Sequence, residues 1–195
     1  MTDPHQQLQD ALDALDTAFA PLAQPPAPVG GCTHCYTEAD LEALAGPVQL
    51  VPEELLHSVA HKTPDHWDDF PGLYRRLTPR IVRLLTTDQI HHSIVASRLL
   101  AADWRTWPRP ERTALERVWH AWWRAALHTH PSTGHITEIL ETLAHWLFRG
   151  QLGDLHLGFY DELYVTPELV PWLLSLEDGR IGAAHLIEVE RIAYS

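Results

Sequence analysis

The stretch ERTALERVWHAWWRAALHTH, residues 111–130, decides the fold class of this chain. Its apolar side chains recur at the spacings that line one face of an α-helix. The members of this apolar stripe are Leu115, Val118, Trp119, Trp122 and Ala126. Pro131 follows directly and cannot donate a hydrogen bond within a helix. The sequence therefore predicts a long helix that stops at this proline.

Helical patterns of the same kind recur along the rest of the chain, and no strand pattern of comparable strength accompanies them. We therefore expect an all-α fold of about seven to nine helices, arranged as an irregular helical bundle or a short stack of antiparallel helical hairpins. Residues 1–30 are expected to form an N-terminal amphipathic helix with a proline-rich linker, as an arm outside the core. Residues 31–195 are expected to form a single all-helical domain. The first helix is marked by Leu8, Leu12, Leu15 and Phe19.

Three local signals predict where further helices begin. Thr37, with Asp40 three residues later, resembles a capping box. Asp88 is expected to cap the helix that follows it. Between these points, LYRRLTPRIVRLL at residues 73–85 predicts either one kinked helix or two short helices, because Pro79 removes a backbone donor.

Composition and charge limit the classes of function. No apolar run approaches the roughly 20 residues that span a bilayer, and the N-terminal sequence lacks the pattern of a secretory signal. We therefore expect a cytoplasmic protein that does not enter the membrane. The abundance of Ala, Pro and Arg is typical of a bacterial coding sequence rich in GC. The net charge of −12 disfavours general nucleic-acid binding, because phosphates are bound by cations.

The charge is unevenly distributed. Residues 75–124 carry ten arginines, whereas residues 1–74 carry twelve acids and a single cation. Either the basic middle neutralises its acidic flanks internally, or it forms a face that binds an anion or a partner. Tryptophans lie among these arginines. Either they pack at the edge of the core, or they belong to a binding surface, because Arg stacked on Trp is frequent at interfaces. The candidate residues for a partner, expected to be another protein, are Arg98, Trp104, Arg105, Trp107, Arg109, Arg112 and Arg124.

The sharpest local motif is the CxxC sequence that begins at Cys32. A CxxC turn brings two sulfurs close enough to share a tetrahedral zinc ion or to form a small disulfide. His57 and His61 are four residues apart on a predicted helix, so both rings project from one face, opposite its apolar side. The sequence thus predicts zinc as the cofactor, in a structural clasp. The predicted ligands are Cys32, Cys35, His57 and His61, with His34 and His66 as alternatives.

Other interpretations of these residues stay open. The cysteines could be redox-active thiols, although that chemistry usually occurs in a thioredoxin fold with strands that this sequence lacks. They could also be reduced cysteines without a special role. Two Glu–His pairs, Glu116 with His120 and Glu141 with His145, could form a dimetal centre between helices. Their helical positions lie away from the apolar stripes, which argues against an inward-facing site.

The segments around the CxxC motif resemble an uncharacterised bacterial family. Members of this family have a CxxC motif, a Trp loop and a Pro-Arg-Ile helix, as LLHSVAHKTPDHWDDF and LTPRIVRLL have here. Histidines at the positions of His57 and His61 are not common in the family. The resemblance covers about residues 30–86 and implies an all-helical fold, without an established activity. It rests on Cys32, Cys35, Lys62, Trp67, Pro79, Arg80 and Ile81.

Three functions follow from these patterns. We favour a helical protein-interaction, adaptor or regulatory protein with a zinc clasp at its CxxC motif. The second is an enzyme with a metal-dependent site or a substrate site lined by arginine and tryptophan. The third is a thiol redox sensor, which requires reversible oxidation of the cysteine pair.

Overall fold

The computed structural model describes residues 3–23 and 28–129, with side chains as far as residue 126. Over these ranges the fold is all-α, as predicted, and no strand is formed. None of the helices in these ranges has the length and apolar character that crossing a membrane requires. The helices expected after Pro131 lie outside the described residues. The six described α-helices are α1 (Pro4–Phe19), α2 (Glu38–Ala45), α3 (Glu53–His61), α4 (Phe70–Thr86), α5 (His92–Ala101) and α6 (Arg109–Thr129).

Helix α6 buries the apolar stripe that its sequence predicts. Helix α1 packs along α6 and contributes Leu12, Leu15 and Phe19 to the same core. The ring of Phe19 also meets that of Trp107 edge to face, with the ring centroids 5.7 Å apart. The buried side chains of α1 are therefore part of the core. The buried stripe of α6 consists of Leu115, Val118, Trp119, Trp122 and Ala126.

Helix α4 continues through Pro79 as one helix from Phe70 to Thr86. The alternative of two short helices was therefore wrong. A proline inside a helix costs about 3 kcal/mol, because it removes one hydrogen bond and its ring crowds the preceding turn. Burial of apolar side chains on both sides of the proline offsets this cost, and Leu77 and Ile81 are fully buried.

Two arginines of α4 form ion pairs with neighbouring helices. Arg75 makes a two-pronged bond to Glu111 of α6, with both N–O distances at 2.6 Å. Arg83 bonds to Asp13 at 3.0 Å and Asp16 at 2.5 Å, both on α1. These ion pairs thus join α4 to α6 and to α1, two helices that pack against each other.

Two other arginines of α4 hold the chain between α2 and α3. The buried Arg76 donates to the carbonyl oxygens of Leu44 and Gly46, where α2 ends. Arg80 donates to the carbonyl oxygen of Val48 at 3.0 Å and to that of Val51. The guanidinium groups thus donate to carbonyl oxygens at the end of α2 and in the connection to α3. The Val48 carbonyl oxygen also accepts the N–H of Val51, at 3.3 Å.

Helix α5 begins at His92 and not at Asp88, so the predicted cap was wrong. Asp88 has a left-handed backbone, with φ of 56°. Its N–H bonds to the carbonyl of Leu85, and the N–H of Gln89 bonds to that of Leu84. This pair of bonds is the Schellman motif, which ends a helix. Asp88 therefore closes α4, and the imidazole of His91 caps α5 instead.

Candidate metal centre

The CxxC motif forms a tight turn directly in front of α2. The backbone N–H groups of Cys35 and Tyr36 both donate to the carbonyl oxygen of Cys32, each at 3.0 Å. The predicted capping box is confirmed: the N–H of Asp40 donates to the Thr37 hydroxyl at 3.2 Å, and the N–H of Thr37 donates to the Asp40 carboxylate at 2.9 Å. The turn is thereby fixed to the first turn of a capped helix.

A single antiparallel bridge joins the CxxC turn to the segment that follows α3. It pairs Gly31 with Trp67, and the N–H of Cys32 donates to the carbonyl of His66 at 2.8 Å. A Cβ atom at Gly31 would lie 2.9 Å from the Trp67 ring and 3.0 Å from the His66 carbonyl oxygen. Glycine is required here because the two segments approach too closely for a side chain. The bridge places the His66 ring beside the cysteines.

Side-chain contacts with α3 fix the turn from its other side. The Tyr36 ring packs on the Trp67 ring, with centroids 4.4 Å apart, and the Tyr36 hydroxyl lies 2.9 Å from the Ser58 hydroxyl. Burial raises the pKa of Tyr36. The Lys62 ammonium donates to the sulfur of Cys35 at 3.6 Å. Ser58 and Lys62 are one helical turn apart, so one face of α3 meets the turn.

Cys32, Cys35 and His66, which we call the Cys–His cluster, bring three potential metal ligands together. The two sulfurs and one ring nitrogen all lie within 4.8 Å of one another, and each residue is half-buried. The Cys35 sulfur is 3.7 Å from His66 Nδ1. Zinc bond lengths of about 2.3 Å to sulfur and about 2.05 Å to nitrogen give a tetrahedral edge of about 3.6 Å. Among the described residues, this is the one group of three or more ligands with such spacing.

The local hydrogen bonds favour the ionised form of Cys32. They lower the pKa of its thiol to about 6; the bond with the His66 side chain is the largest cause, followed by bonds from the backbone N–H groups of His34 and Cys35. Neither cysteine is in a disulfide. Because metals bind the thiolate, a cysteine that is ionised at neutral pH is ready to act as a ligand.

The structure places the other predicted ligands around this cluster. His57 is half-buried and His61 is exposed, opposite the buried side of α3, as predicted. Their ring centroids are 6.3 Å apart, and both lie outside the 4.8 Å group. Ser58 and Lys62, which meet the CxxC turn, each follow one of these histidines by one residue. The face of α3 that meets the turn is therefore about 100° around the helix axis from the face of the histidines. Ligation by His57, by His61 or by the exposed His34 stays a prediction.

The tryptophans of the predicted arginine–tryptophan region are buried, and its arginines are half-buried or exposed. Trp104 is 4% exposed and Trp107 is 5% exposed, and the Trp107 ring nitrogen donates to the carbonyl of Ala102 at 3.1 Å. The Arg105 guanidinium lies 5.5 Å from the Trp104 ring centroid, so the predicted stacking occurs within the protein. Arg98 donates to the carbonyl oxygen of His61 at 3.0 Å and thereby joins α5 to α3. Arg105, Arg112 and Arg124 are half-buried, whereas Arg109 is exposed.

The predicted dimetal centre falls partly outside the described residues, because Glu141 and His145 lie there. Glu116 is exposed on α6, and His120 is half-buried. Burial, and then the nearby charge of Arg124, lowers the pKa of His120.

Sequence patterns did not identify Lys62 and Tyr36 as neighbours of the Cys–His cluster. One signal could have pointed to Lys62, which is the single lysine in a chain with thirteen arginines. Tyr36 carries no comparable signal, because its role depends on contacts with Ser58 and Trp67 that are distant in sequence.

Comparison with known proteins gives no match to a family model, to a curated protein or to a solved structure.

Proposed function

We propose that this chain is a helical protein-interaction or regulatory protein whose CxxC turn is clamped by a structural zinc ion. The observation that carries the proposal is the approach of three ligand atoms to within 4.8 Å in the Cys–His cluster. Two thiolates and one imidazole are ligands typical of zinc. His34, His57, His61 or a water molecule completes the tetrahedron.

The proposed ion joins two segments that are distant in sequence. Cys35 and His66 are 31 positions apart, and one backbone bridge already aligns their segments. A metal bound only by the folded chain adds its binding free energy to folding. Zinc therefore stabilises the attachment of the CxxC turn to the segment after α3. A cytoplasmic location fits this role, because thiols stay reduced there.

The interaction role is proposed for the basic part of the chain, with an acidic protein as the partner. Arg109 is exposed at the start of α6, and Arg105, four residues earlier, is half-buried. The Arg105 guanidinium lies over the ring of the buried Trp104, 5.5 Å from the ring centroid, and the guanidinium groups of Arg105 and Arg109 are the proposed contact surface. We further propose that the whole chain forms an irregular bundle of about seven to nine helices.

The zinc site is tested by elemental analysis of the purified, reduced protein. We expect one equivalent of zinc in the wild type, and its loss in Cys32→Ser/Cys35→Ser and in His66→Ala, together with a lower melting temperature. The matched control is His57→Ala/His61→Ala, which removes two histidines from the neighbouring face of α3 and tests whether either is the fourth ligand. Zinc that survives His66→Ala but not the control would assign the ligands to His57 and His61. A wild type without zinc would overturn the clasp.

The interaction surface is tested separately. Arg105→Glu/Arg109→Glu should abolish capture of a protein partner without changing helicity by circular dichroism. Arg117→Glu is the control, because Arg117 is an exposed arginine of α6 outside the proposed surface. Equal capture by wild type and double variant would remove this part of the proposal.

A further inference from the structure

We propose that oxidation opens the zinc clasp: a low-molecular-weight disulfide converts Cys32 and Cys35 into an intramolecular disulfide, and the zinc ion leaves. The structure thereby assigns a redox-controlled release to the Cys–His cluster. This inference rests on the proposed zinc site and adds its regulation.

The CxxC turn holds both cysteines in position for this reaction. Hydrogen bonds from the N–H groups of Cys35 and Tyr36 to the Cys32 carbonyl close the turn at 3.0 Å each. The two sulfurs already lie within 4.8 Å of each other. A disulfide needs a separation of about 2.05 Å, which side-chain rotation can supply where the backbone is already turned. Both side chains are half-buried, so a small disulfide such as oxidised glutathione can reach them.

The reaction is two successive thiol–disulfide exchanges. One cysteine thiolate attacks a sulfur of the oxidant RSSR, which forms a mixed disulfide and releases one RS⁻. The other cysteine thiolate then attacks the protein sulfur of that mixed disulfide and releases the second RS⁻. The two cysteines together lose two electrons, and RSSR gains them. Zinc leaves as Zn²⁺, so its two charges balance those of the two RS⁻ products.

Oxidation removes the clasp because disulfide sulfurs are not the thiolate ligands that zinc requires. Of the Cys–His cluster, only the His66 imidazole remains as a ligand. The Lys62 ammonium also loses a thiolate acceptor at Cys35, 3.6 Å away in the reduced protein. The turn is then held by the Gly31–Trp67 bridge and by the contacts of Tyr36. Reduction restores both thiolates and allows zinc to bind again.

The experiment uses the full chain and measures zinc before and after oxidation. Zinc in the reduced protein is quantified first, and oxidised glutathione is then added with a chromophoric zinc indicator. We expect one zinc ion released for every two thiols lost, an intact mass lower by two hydrogens, and rebinding of zinc after reduction. Thr33→Ala, an exposed position within the same turn, should behave as wild type. Cys35→Ser should stop at a mixed disulfide with glutathione.

The outcomes separate this inference from the zinc site itself. Reduced wild-type protein without zinc would overturn the proposed clasp and the release with it. Zinc that is present in the reduced protein but stays bound in excess oxidised glutathione would overturn the release alone. Release accompanied only by a stable mixed disulfide, without the intramolecular bond, would also overturn it.

Discussion

At the scale of the residue, the groups around the sulfur of Cys32 favour its thiolate form, which is the form that the proposed zinc ion requires. The His66 side chain and two backbone N–H groups hold the pKa of the thiol at about 6, well below its usual range. A thiol with an ordinary pKa must lose a proton when it binds zinc at neutral pH, and that loss weakens binding. With a pKa of about 6, Cys32 is mostly a thiolate at neutral pH, so protons compete with zinc at this ligand mainly in mildly acidic solution.

The pH dependence of Cys32 alkylation tests this arrangement. In zinc-free wild type, the rate of iodoacetamide modification should rise with a midpoint near pH 6, because only the thiolate reacts. Peptide mass spectrometry separates Cys32 from Cys35. His66→Ala should move the midpoint upward, since His66 is the largest cause of the shift. His61→Ala is the matched control and should leave the midpoint unchanged.

The lowered pKa of Cys32 also determines how the stability of the fold depends on pH. The native thiolate is favoured relative to the unfolded chain, so Cys32 contributes stability that is full above its ordinary pKa. This contribution is lost as the pH falls through about 6. For the alkylation experiment, a midpoint of the Cys32 reaction in the ordinary range for thiols, with no effect of His66→Ala, would contradict the hydrogen bonds described for this sulfur.

The cluster shows which site residues a sequence can reveal. Cys32 and Cys35 could be predicted from the sequence, because the CxxC spacing alone brings two potential ligands together in one turn. His66 could be named only as an alternative ligand, because its position depends on the bridge between Gly31 and Trp67, which has no periodic pattern. The i, i+4 spacing of two histidines on α3 correctly predicted a shared face. It could not predict that the neighbouring face meets the turn.

At the scale of the element, helix starts were predictable where the cap is wholly local. The capping box of Thr37 and Asp40 involves four consecutive residues, and the structure confirms it. Asp88 was misassigned because aspartate is frequent at helix starts and also adopts the left-handed conformation that ends helices. The structure shows the second role, because the carbonyl oxygens of Leu84 and Leu85 accept the bonds that end α4. The cap of α5 is the imidazole of His91, and histidine is not among the residues preferred at helix starts.

Thr37→Ala measures what the capping box contributes. The substitution removes the acceptor of the Asp40 N–H, and we expect it to lower the free energy of unfolding by about 1 kcal/mol. Zinc stoichiometry should not change, because Thr37 lies outside the Cys–His cluster. Urea denaturation followed by circular dichroism gives the free energy. Thr33→Ala provides the comparison at an exposed threonine in the preceding turn.

Equal stability of these two threonine variants would mean that packing alone, and not the cap, determines where α2 begins.

The Asp40 carboxylate makes the stability of this cap depend on pH. Hydrogen bonds from Thr37 lower the pKa of Asp40. The stability that these bonds supply is therefore present above the ordinary carboxyl pKa and is lost as the pH falls through the lowered value.

At the scale of the whole molecule, the basic middle of the chain serves largely to hold neighbouring elements. Arg83 pairs with acids of the N-terminal flank, as internal neutralisation predicts. Arg75 instead pairs with Glu111 within the basic region, and Arg76 and Arg80 bind carbonyl oxygens. Counting charges along the sequence could not show this, because backbone carbonyls carry no formal charge. Periodicity does not place Trp104 and Trp107 in the core, because they lie in a turn between helices, yet both are buried, as packing at the edge of the core predicts.

The place of α1 in the molecule rests on apolar burial more than on its ion pairs. Leu15 is fully buried, whereas the side chain of Asp16 is 48% exposed in its pair with Arg83. Leu15→Ala should lower the free energy of unfolding by about 3 kcal/mol, through lost transfer free energy and the cavity left behind. Asp16→Asn should cost less than about 1 kcal/mol, because water screens an exposed pair. Chemical denaturation of both variants measures the difference.

Leu50→Ala is the matched control for Leu15→Ala, since the Leu50 side chain is 75% exposed and its loss should change stability by less than about 0.5 kcal/mol. The comparison decides whether residues 1–30 are a separate unit. An arm that packs only loosely would make the two leucine variants equally mild. A large cost at Leu15, with a single cooperative transition, would instead mean that α1 and α6 unfold together. That result would assign α1 and α6 to one cooperative unit and would exclude a separate arm.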